Sequence, residues 1–415
     1  MSHRDIRGRL VLGRPAVWAG LAAVLAVGLA AVLVATMAVR TTGGSAAPGP
    51  AQAAPPAPAR APAPAPTSGS AAAPAPAPTG CDPLAALQQI PLRRRLAQLV
   101  MVGVDPQGPA EAREVVATEQ VGGIFIGGDS TGLLTRGALD QVQEVAKVPV
   151  AVAVDDEGGR VQRLDTIAGS MPSARQMART MTPRQVEDLA RQRALALRAA
   201  GVSIDFAPVL DVSAQPDDAA IGDRSFSPDP QVVAQYAGAF AKGLREGGVL
   251  PVFKHFPGHG HAVGDSHKGT STTPPLSELQ HNDLLPYRTV LGQGPDAVMV
   301  GHLDVPGLTG GDPASISPPA LALLRNDFGY QGLVFSDDLG AMAAITERLA
   351  LPEAVRQSLA AGVDVALSTS AKSLGGVLDH LEQSVRSGTL PQRRVDEAAY
   401  RVLTAKGVDP CRMPG

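Results

Sequence analysis

Aromatic residues are scarce in this chain of 415 residues: Phe, Trp and Tyr make up 3%, and the one tryptophan, Trp18, falls in an apolar N-terminal run. Surfaces that clamp polysaccharides rely on aromatic platforms, so a clamp of that kind has little to be built from. An excess of either charge is missing too. The 36 Lys and Arg residues meet 39 Asp and Glu for a net charge of -3, which leaves no basic field for nucleic acid. No glycine-rich phosphate loop follows the first strand-like run, which argues against an open doubly wound nucleotide-binding sheet. No internal repeat marks a solenoid.

What is present changes character along the chain. Residues 1–15 carry Arg4, Arg7, Arg9 and Arg14, and the run Ala16 to Val39 that follows contains no charge. At about 1.5 Å per residue such a run can cross a hydrocarbon core of roughly 30 Å. The arginines predict that its N-terminal side stays in the cytoplasm, with everything after Arg40 outside. A cleavable signal peptide is the competing reading, since small residues around Ala51-Gln52-Ala53 resemble a processing site. Such peptides have apolar regions of roughly 7 to 15 residues, so the uncleaved anchor is the expectation. Residues 40–80 are almost entirely Ala, Pro, Gly, Ser and Thr, and predict an extended polyproline-like spacer ahead of a domain over 81–415.

Within that domain, apolar runs alternate with segments of helical period. The runs are 99–104, 122–127, 149–155, 203–210, 250–256, 297–303, 332–338 and 364–369, and 183–200 and 230–246 read as amphipathic helices between them. Strands buried on both faces and separated by helices imply a parallel sheet, and eight of them imply one closed (β/α)8 barrel of the TIM type. Barrels bring their termini together, and an oxidising exterior permits a bridge. Cys81 and Cys411, at the two ends of the domain, are therefore expected to form a disulfide rather than stand as free thiols.

Ionisable residues recur at one end of these runs: Asp155 after AVAV, Asp211 after APVL, Lys254 and His255 after PVF, His302 after MVG, and Asp337 after LVFS. In a barrel these positions converge on one mouth. Ion pairing or helix capping accounts best for Asp211 and Asp338, the latter as N-cap of a helix over LGAMAA. The loop after the fifth run, KHFPGHGHAVGDSH (254–267), adds an Asp-x-His pair, Asp265 and His267.

Four segments in order, VDDEGGRVQRL (154–164), IGDRSF (221–226), KHFPGHG with DSH (254–267) and FSDDLGAM (335–342), resemble the signatures of glycoside hydrolase family 3, and in particular its single-domain β-N-acetylglucosaminidase branch. The resemblance spans about residues 90 to 405. It implies that Asp337 is the nucleophile, that His267 is the acid/base with Asp265 as its partner, and that Asp155, Arg163, Arg224, Lys254 and His255 hold the terminal sugar. It implies no cofactor and no metal. The alternative for Arg163 and Arg224 is surface pairing with Asp156 or Asp223.

The implied chemistry is coherent. A retaining glycosidase needs a carboxylate to attack C1 and a donor for the leaving oxygen that later takes a proton from water. An imidazole titrating near pH 6.5 can fill both roles when a neighbouring Asp fixes its tautomer. Gly258, Gly260 and Gly264 are expected to leave the loop mobile enough to bring His267 over a bound sugar. His259 and His261 are expected to support the loop by hydrogen bonding, and His302 to line the pocket. The expected protein is a monomeric, membrane-tethered β-N-acetylhexosaminidase acting on amino-sugar glycans of the wall outside the membrane. Rival readings are a related β-glucosidase or phosphorylase, a zinc hydrolase using His255, His259, His261, Asp265 and His267, and a non-catalytic wall-binding protein.

Overall fold

The structure is a computed structural model that describes residues 80–413. The basic segment 1–15, the apolar run 16–39 and residues 40–79 of the Pro/Ala tract lie outside the described residues, and so do the expectations placed on them. Among the described residues, no helix is long and apolar enough to cross a membrane.

Eight parallel strands are hydrogen-bonded in chain order: β1 (Val100–Gly103), β2 (Gly123–Ile126), β3 (Ala151–Val154), β4 (Ile204–Asp205), β5 (Leu250–Phe256), β6 (Ala297–Val300), β7 (Leu333–Ser336) and β8 (Ala366–Ser368). β8 pairs with β1, and a parallel bridge between Phe335 and Val365 brings β7 to β8, so the sheet nearly closes into a barrel. Almost every strand residue is buried, as expected where helices cover the outside and side chains fill the inside. All eight apolar runs of the sequence contain a strand.

Two runs differ from expectation in how far they pair. In 203–210, Ile204–Asp205 forms the ladder, Pro208 has no N–H to donate, and Val209 rejoins by a bridge to Lys254. In 297–303, β6 stops at Val300, and Leu303–Asp304 turns away to pair with Ser271–Thr272. That small ladder stitches the loop after β5 to the loop after β6, beside the barrel's mouth.

The helix over Pro183–Ala199 starts with a capping box between Thr182 and Gln185 and has Pro183 in its first turn, where a missing N–H costs nothing. The next long helix, Pro230–Glu246, is capped by the Asp229 side chain, which accepts the Gln231 N–H at 2.8 Å. The two helices pack closely because Gly243 faces the first: a Cβ there would stand 2.3 Å from the Glu187 carbonyl oxygen. Cys81 and Cys411 form the expected disulfide, Cα to Cα 6.1 Å, across 330 positions of sequence. It joins the chain just ahead of the Pro83–Gln88 helix to the segment after the last helix, Gln392–Ala405.

Three phenylalanines cross the barrel interior. Phe125 stacks on Phe206 at 5.6 Å between centroids, and Phe335 meets Phe206 edge-on at 5.5 Å. Phe125 and Phe206 line a cavity at the C-terminal mouth, whereas Phe335 lines a second one at the opposite end.

Candidate active site

The mouth cavity has a volume of about 540 Å³. Asp155, Arg163, Arg224, Lys254, His255, His267 and Asp337 all line it, so seven of the eight residues singled out for sugar chemistry meet in one place. Asp265, the eighth, stands behind His267. Apolar surface on the same wall comes from Phe125, Phe206, Met299 and Leu367.

Asp337 follows β7 directly, and its N–H donates to the Val300 carbonyl at 3.0 Å, which extends the ladder by one residue and fixes the Cα. Its Oδ1 accepts the Asp338 N–H at 2.9 Å. Burial pushes this carboxyl up, but His302, His255, the Asp338 N–H and Lys254 outweigh burial and hold it below the usual carboxylate range. Asp337 is thus an anion over the whole physiological range, as a nucleophile must be.

The cationic side of the cavity is organised by one carboxylate that the sequence reading passed over. Glu157, buried, accepts Arg224 Nε at 2.8 Å and Nη2 at 2.7 Å, and pairs with Lys254 Nζ at 2.6 Å. Burial raises its carboxyl, yet Arg224 and Lys254 together hold it far below the usual range. Asp155 takes the other side of Lys254 at 2.5 Å. Lys254 stays an ammonium for the same reason: burial lowers its pKa, and Asp155 and Glu157 raise it by more. The signal for Glu157 was its place in VDDEGGR, two residues past a strand-end Asp and so on the same side of the extended chain.

Asp211 is an ion-pair partner, as expected, and its role is to aim a ring. Its Oδ2 accepts His255 Nδ1–H at 2.7 Å while Oδ1 accepts the backbone N–H groups of His255 at 3.2 Å and His259 at 2.7 Å. With Nδ1 committed, Nε2 is the His255 nitrogen left for a ligand. Arg224 does not pair with Asp223, which stands beside Arg160 instead. Arg163 donates from Nη1 to the Gln162 carbonyl at 2.9 Å, and its buried Nε has no partner among the described residues.

Two expectations need correction. Asp338 is not a helix N-cap: the next helix starts at Ala343, with Met342 preceding it. Asp338 accepts the N–H groups of Thr369 and Gly340, each at 2.9 Å, and the Thr369 hydroxyl at 2.6 Å, so it ties the end of β7 to the end of β8. Nor is His302 among the residues lining the cavity; it lies behind Asp337. The Asp338 carbonyl accepts from its Nε2 at 2.9 Å, its Nδ1 lies 2.6 Å from the Ser315 hydroxyl, and burial lowers the ring's pKa.

The loop after β5 is seated by its glycines. A Cβ on Gly260 would lie 2.0 Å from the Val212 carbonyl oxygen, so this stretch of loop lies flat on the segment after β4 because residue 260 has no side chain. His261 Nδ1 is 2.9 Å from Asp283, and His259 Nε2 is 3.5 Å from the Ser266 hydroxyl, both in the expected supporting role. Beyond this anchor the loop emerges. The His267 side chain is 69% exposed and its Nδ1 lies 3.0 Å from Asp265 Oδ1. Burial raises Asp265, but hydrogen bonds from the His267 ring and backbone and from Lys268 bring it below the usual range, so it is an acceptor and Nδ1 the donor. His267 Nε2 is then the nitrogen that can exchange a proton. The residues of the zinc reading are divided among separate carboxylates: His255 with Asp211, His261 with Asp283, His267 with Asp265.

A barrel of parallel strands with a half-buried anionic carboxylate, an exposed imidazole–carboxylate pair and a cationic wall, all at the mouth, defines a class: a barrel hydrolase with acid/base groups at its mouth. Residues 91–405 match the family described as Glycosyl hydrolase family 3 N terminal domain, and the chain belongs to that glycoside hydrolase family. It is 52% identical over 343 residues to Beta-hexosaminidase LpqI of Mycobacterium tuberculosis (strain ATCC 25618 / H37Rv), covering 81% of this chain and 88% of that one. The solved structure of a glycosyl hydrolase of GH3 family from Mycobacterium smegmatis superposes with a TM-score of 0.76 at 52% identity, covering 79% of this chain and 99% of that one. A glycoside hydrolase family 3 beta-N-acetylglucosaminidase from Paenibacillus superposes with a TM-score of 0.73 at 29% identity, covering 79% of this chain and 64% of that one.

Proposed function

We propose that this glycoside hydrolase is a retaining exo-β-N-acetylhexosaminidase that removes terminal N-acetylglucosamine from wall-derived glycans such as muropeptides. Asp337 attacks C1 through Oδ2, since Oδ1 holds the Asp338 N–H. The imidazolium of His267 gives its Nε2 proton to the leaving oxygen, and a glycosyl ester forms on Asp337. The neutral ring then takes a proton from water as the water attacks C1, which restores both groups. Asp265 holds the ring's tautomer and offsets its charge. Asp155, Arg163, Arg224, Lys254 and His255 take the hydroxyl and acetamido oxygens of the terminal sugar.

The single observation that carries this reading is that Asp337 and His267 line the same cavity as the five sugar-holding candidates. A volume of about 540 Å³ suits one sugar and the start of a second, which favours removal from a chain end. The similarity to beta-hexosaminidases supports the amino-sugar specificity.

The test is turnover of a chromogenic β-N-acetylglucosaminide against the matching β-glucoside by wild type and Asp337→Ala. The acetamido substrate should turn over, the glucoside far less, and the variant should lose roughly 10⁴-fold or more in kcat. Peptide mapping after a slow fluorinated inactivator should find the label on Asp337; a label elsewhere, or turnover of the glucoside alone, overturns the reading. Because the acid/base is not an anion, phosphate is not repelled from the glycosyl ester, and a sugar phosphate formed when phosphate is added would make the enzyme a phosphorylase. The run Ala16 to Val39 would place the barrel outside the membrane on a Pro/Ala spacer, which protease accessibility of intact cells tests.

A further inference from the structure

The second cavity lies at the opposite end of the barrel, on the far side of Phe335, with a volume of about 590 Å³. Small residues at this end, Gly122, Ala151 and Ser203, leave the interior unfilled where larger side chains would plug it. Among the described residues, three cations line it, Lys406, Arg245 and Arg198, and no carboxylate does. None of the three makes an ion pair within 4 Å among the described residues. The Lys406 ammonium has one partner, the neutral Gln98 Oε1 at 2.8 Å. Arg245 Nη1 is buried without a hydrogen bond among the described residues, and Asp296 acts on that guanidinium from beyond pairing distance.

Elsewhere at this end the fold does pair its arginines. Asp364 collects Arg325 at 2.6 Å, Arg394 at 2.7 Å and Arg401 at 3.2 Å. Leaving two half-buried cations without an anion costs free energy that a bound anion would recover. Met101, Ile204, Leu250, Leu333 and Val402 give the wall an apolar stretch, beside the neutral polar Gln98, Gln143 and Ser203.

We propose that the barrel floor is a binding site for a small amphiphilic anion, a phosphate or carboxylate head on Lys406 and Arg245 with an apolar tail against Met101, Ile204 and Leu250. The cations select the charge, and the apolar wall, a concave surface already formed, selects the tail. Neither inorganic phosphate nor a neutral alkyl chain satisfies both parts. The site is separate from the mouth cavity and does not depend on the proposed sugar chemistry.

Hexyl phosphate is the probe, with inorganic phosphate and hexanol as the arms that lack the tail and the charge. The full chain is the protein to use, with the described core and the disulfide both within residues 80–413. Titration calorimetry should show saturable binding of hexyl phosphate, about tenfold or more tighter than either control, and about tenfold weaker in Lys406→Met/Arg245→Met. Chromogenic hydrolysis at the wild-type rate shows that the double variant is folded. Methionine-methyl NMR on the wild type provides a readout independent of any variant: hexyl phosphate should move Met101, which lines the floor, and leave Met299 and Met342, which line the mouth. No saturable binding, equal affinity in the double variant, inorganic phosphate binding as well as hexyl phosphate, or shifts confined to Met299 and Met342 each overturn the proposal.

Discussion

The two ends of the barrel hold cations in opposite ways. At the mouth, Lys254 is 2% exposed and meets Asp155 and Glu157, so its ammonium is favoured in spite of burial. At the floor, Lys406 has no acidic partner, and burial lowers it to about 7. Depth alone does not decide the charge state; the partner does, because a nearby anion can outweigh the desolvation penalty. The mouth carries compensated charge that stays in place to orient a substrate, while the floor carries charge that awaits compensation.

Substituting Glu157 breaks the compensation at the mouth and should have the largest effect. Glu157→Gln leaves Arg224 with a neutral partner and Lys254 with Asp155 alone, and removing one member of a buried charge cluster costs about 3–5 kcal/mol. A urea titration should show that loss, and KM should rise more than kcat falls, because the proposed reading has the cations hold the sugar away from the bond being broken. Unchanged stability would mean the mouth charges are not compensated in the way the geometry implies.

A smaller effect separates the sheet-held and loop-borne halves of the mouth itself. Asp337 is held by the sheet, whereas Asp265 and His267 stand on an emerging loop, with the His267 side chain 69% exposed. An exposed pair is worth about 1 kcal/mol or less in stability. Asp265→Asn should therefore leave the melting temperature within error and lower kcat/KM by about 10- to 100-fold through loss of the ring's tautomer and charge partner. Its acid/base pH profile should shift as well. A variant with wild-type turnover would remove Asp265 from the mechanism.

These contrasts explain which parts of the molecule could be read from residue order. The eight strands were legible because each lies in a largely apolar run buried on both faces, and the two long helices because their apolar and charged faces repeat every three to four residues. That Asp337, His267 and the five proposed sugar-holding residues would share one cavity was legible because the strand ends and one glycine-rich loop concentrate ionisable residues. Strand lengths were not, since Pro208 and the turn at Gly301 end ladders through backbone geometry that apolar patterning does not encode. Asp338 misled because the rule for helix caps is local, while its partner, Thr369, lies on the neighbouring strand end. Glu157 was missed because its importance comes from two cations 67 and 97 positions away, brought to it by the barrel. The floor cavity left no sequence signal at all: Lys406, Arg245 and Gln98 belong to three distant segments.

The floor is where the comparison can be sharpened most finely, by following stability with pH. The unfolded Lys406 titrates near 10.4 and the folded one at about 7, so between those values the unfolded chain binds a proton that the folded chain has released. Wild-type stability therefore gains with rising pH over that window relative to Lys406→Met, which has no such group. Below about pH 7 both states of Lys406 are charged and its desolvation cost is fully present. The variant should then be the more stable protein, and the roughly 3-unit separation of the folded and unfolded values lets the wild type recover up to about 4 kcal/mol on it by pH 10, less as far as water in the cavity screens the charge. The gap should close as pH rises towards 10, read from urea midpoints of the two proteins side by side. A gap that does not change with pH would mean that Lys406 is already compensated. Saturating hexyl phosphate should reverse the gap at low pH, because the ligand stabilises the folded state of the protein that retains the cation.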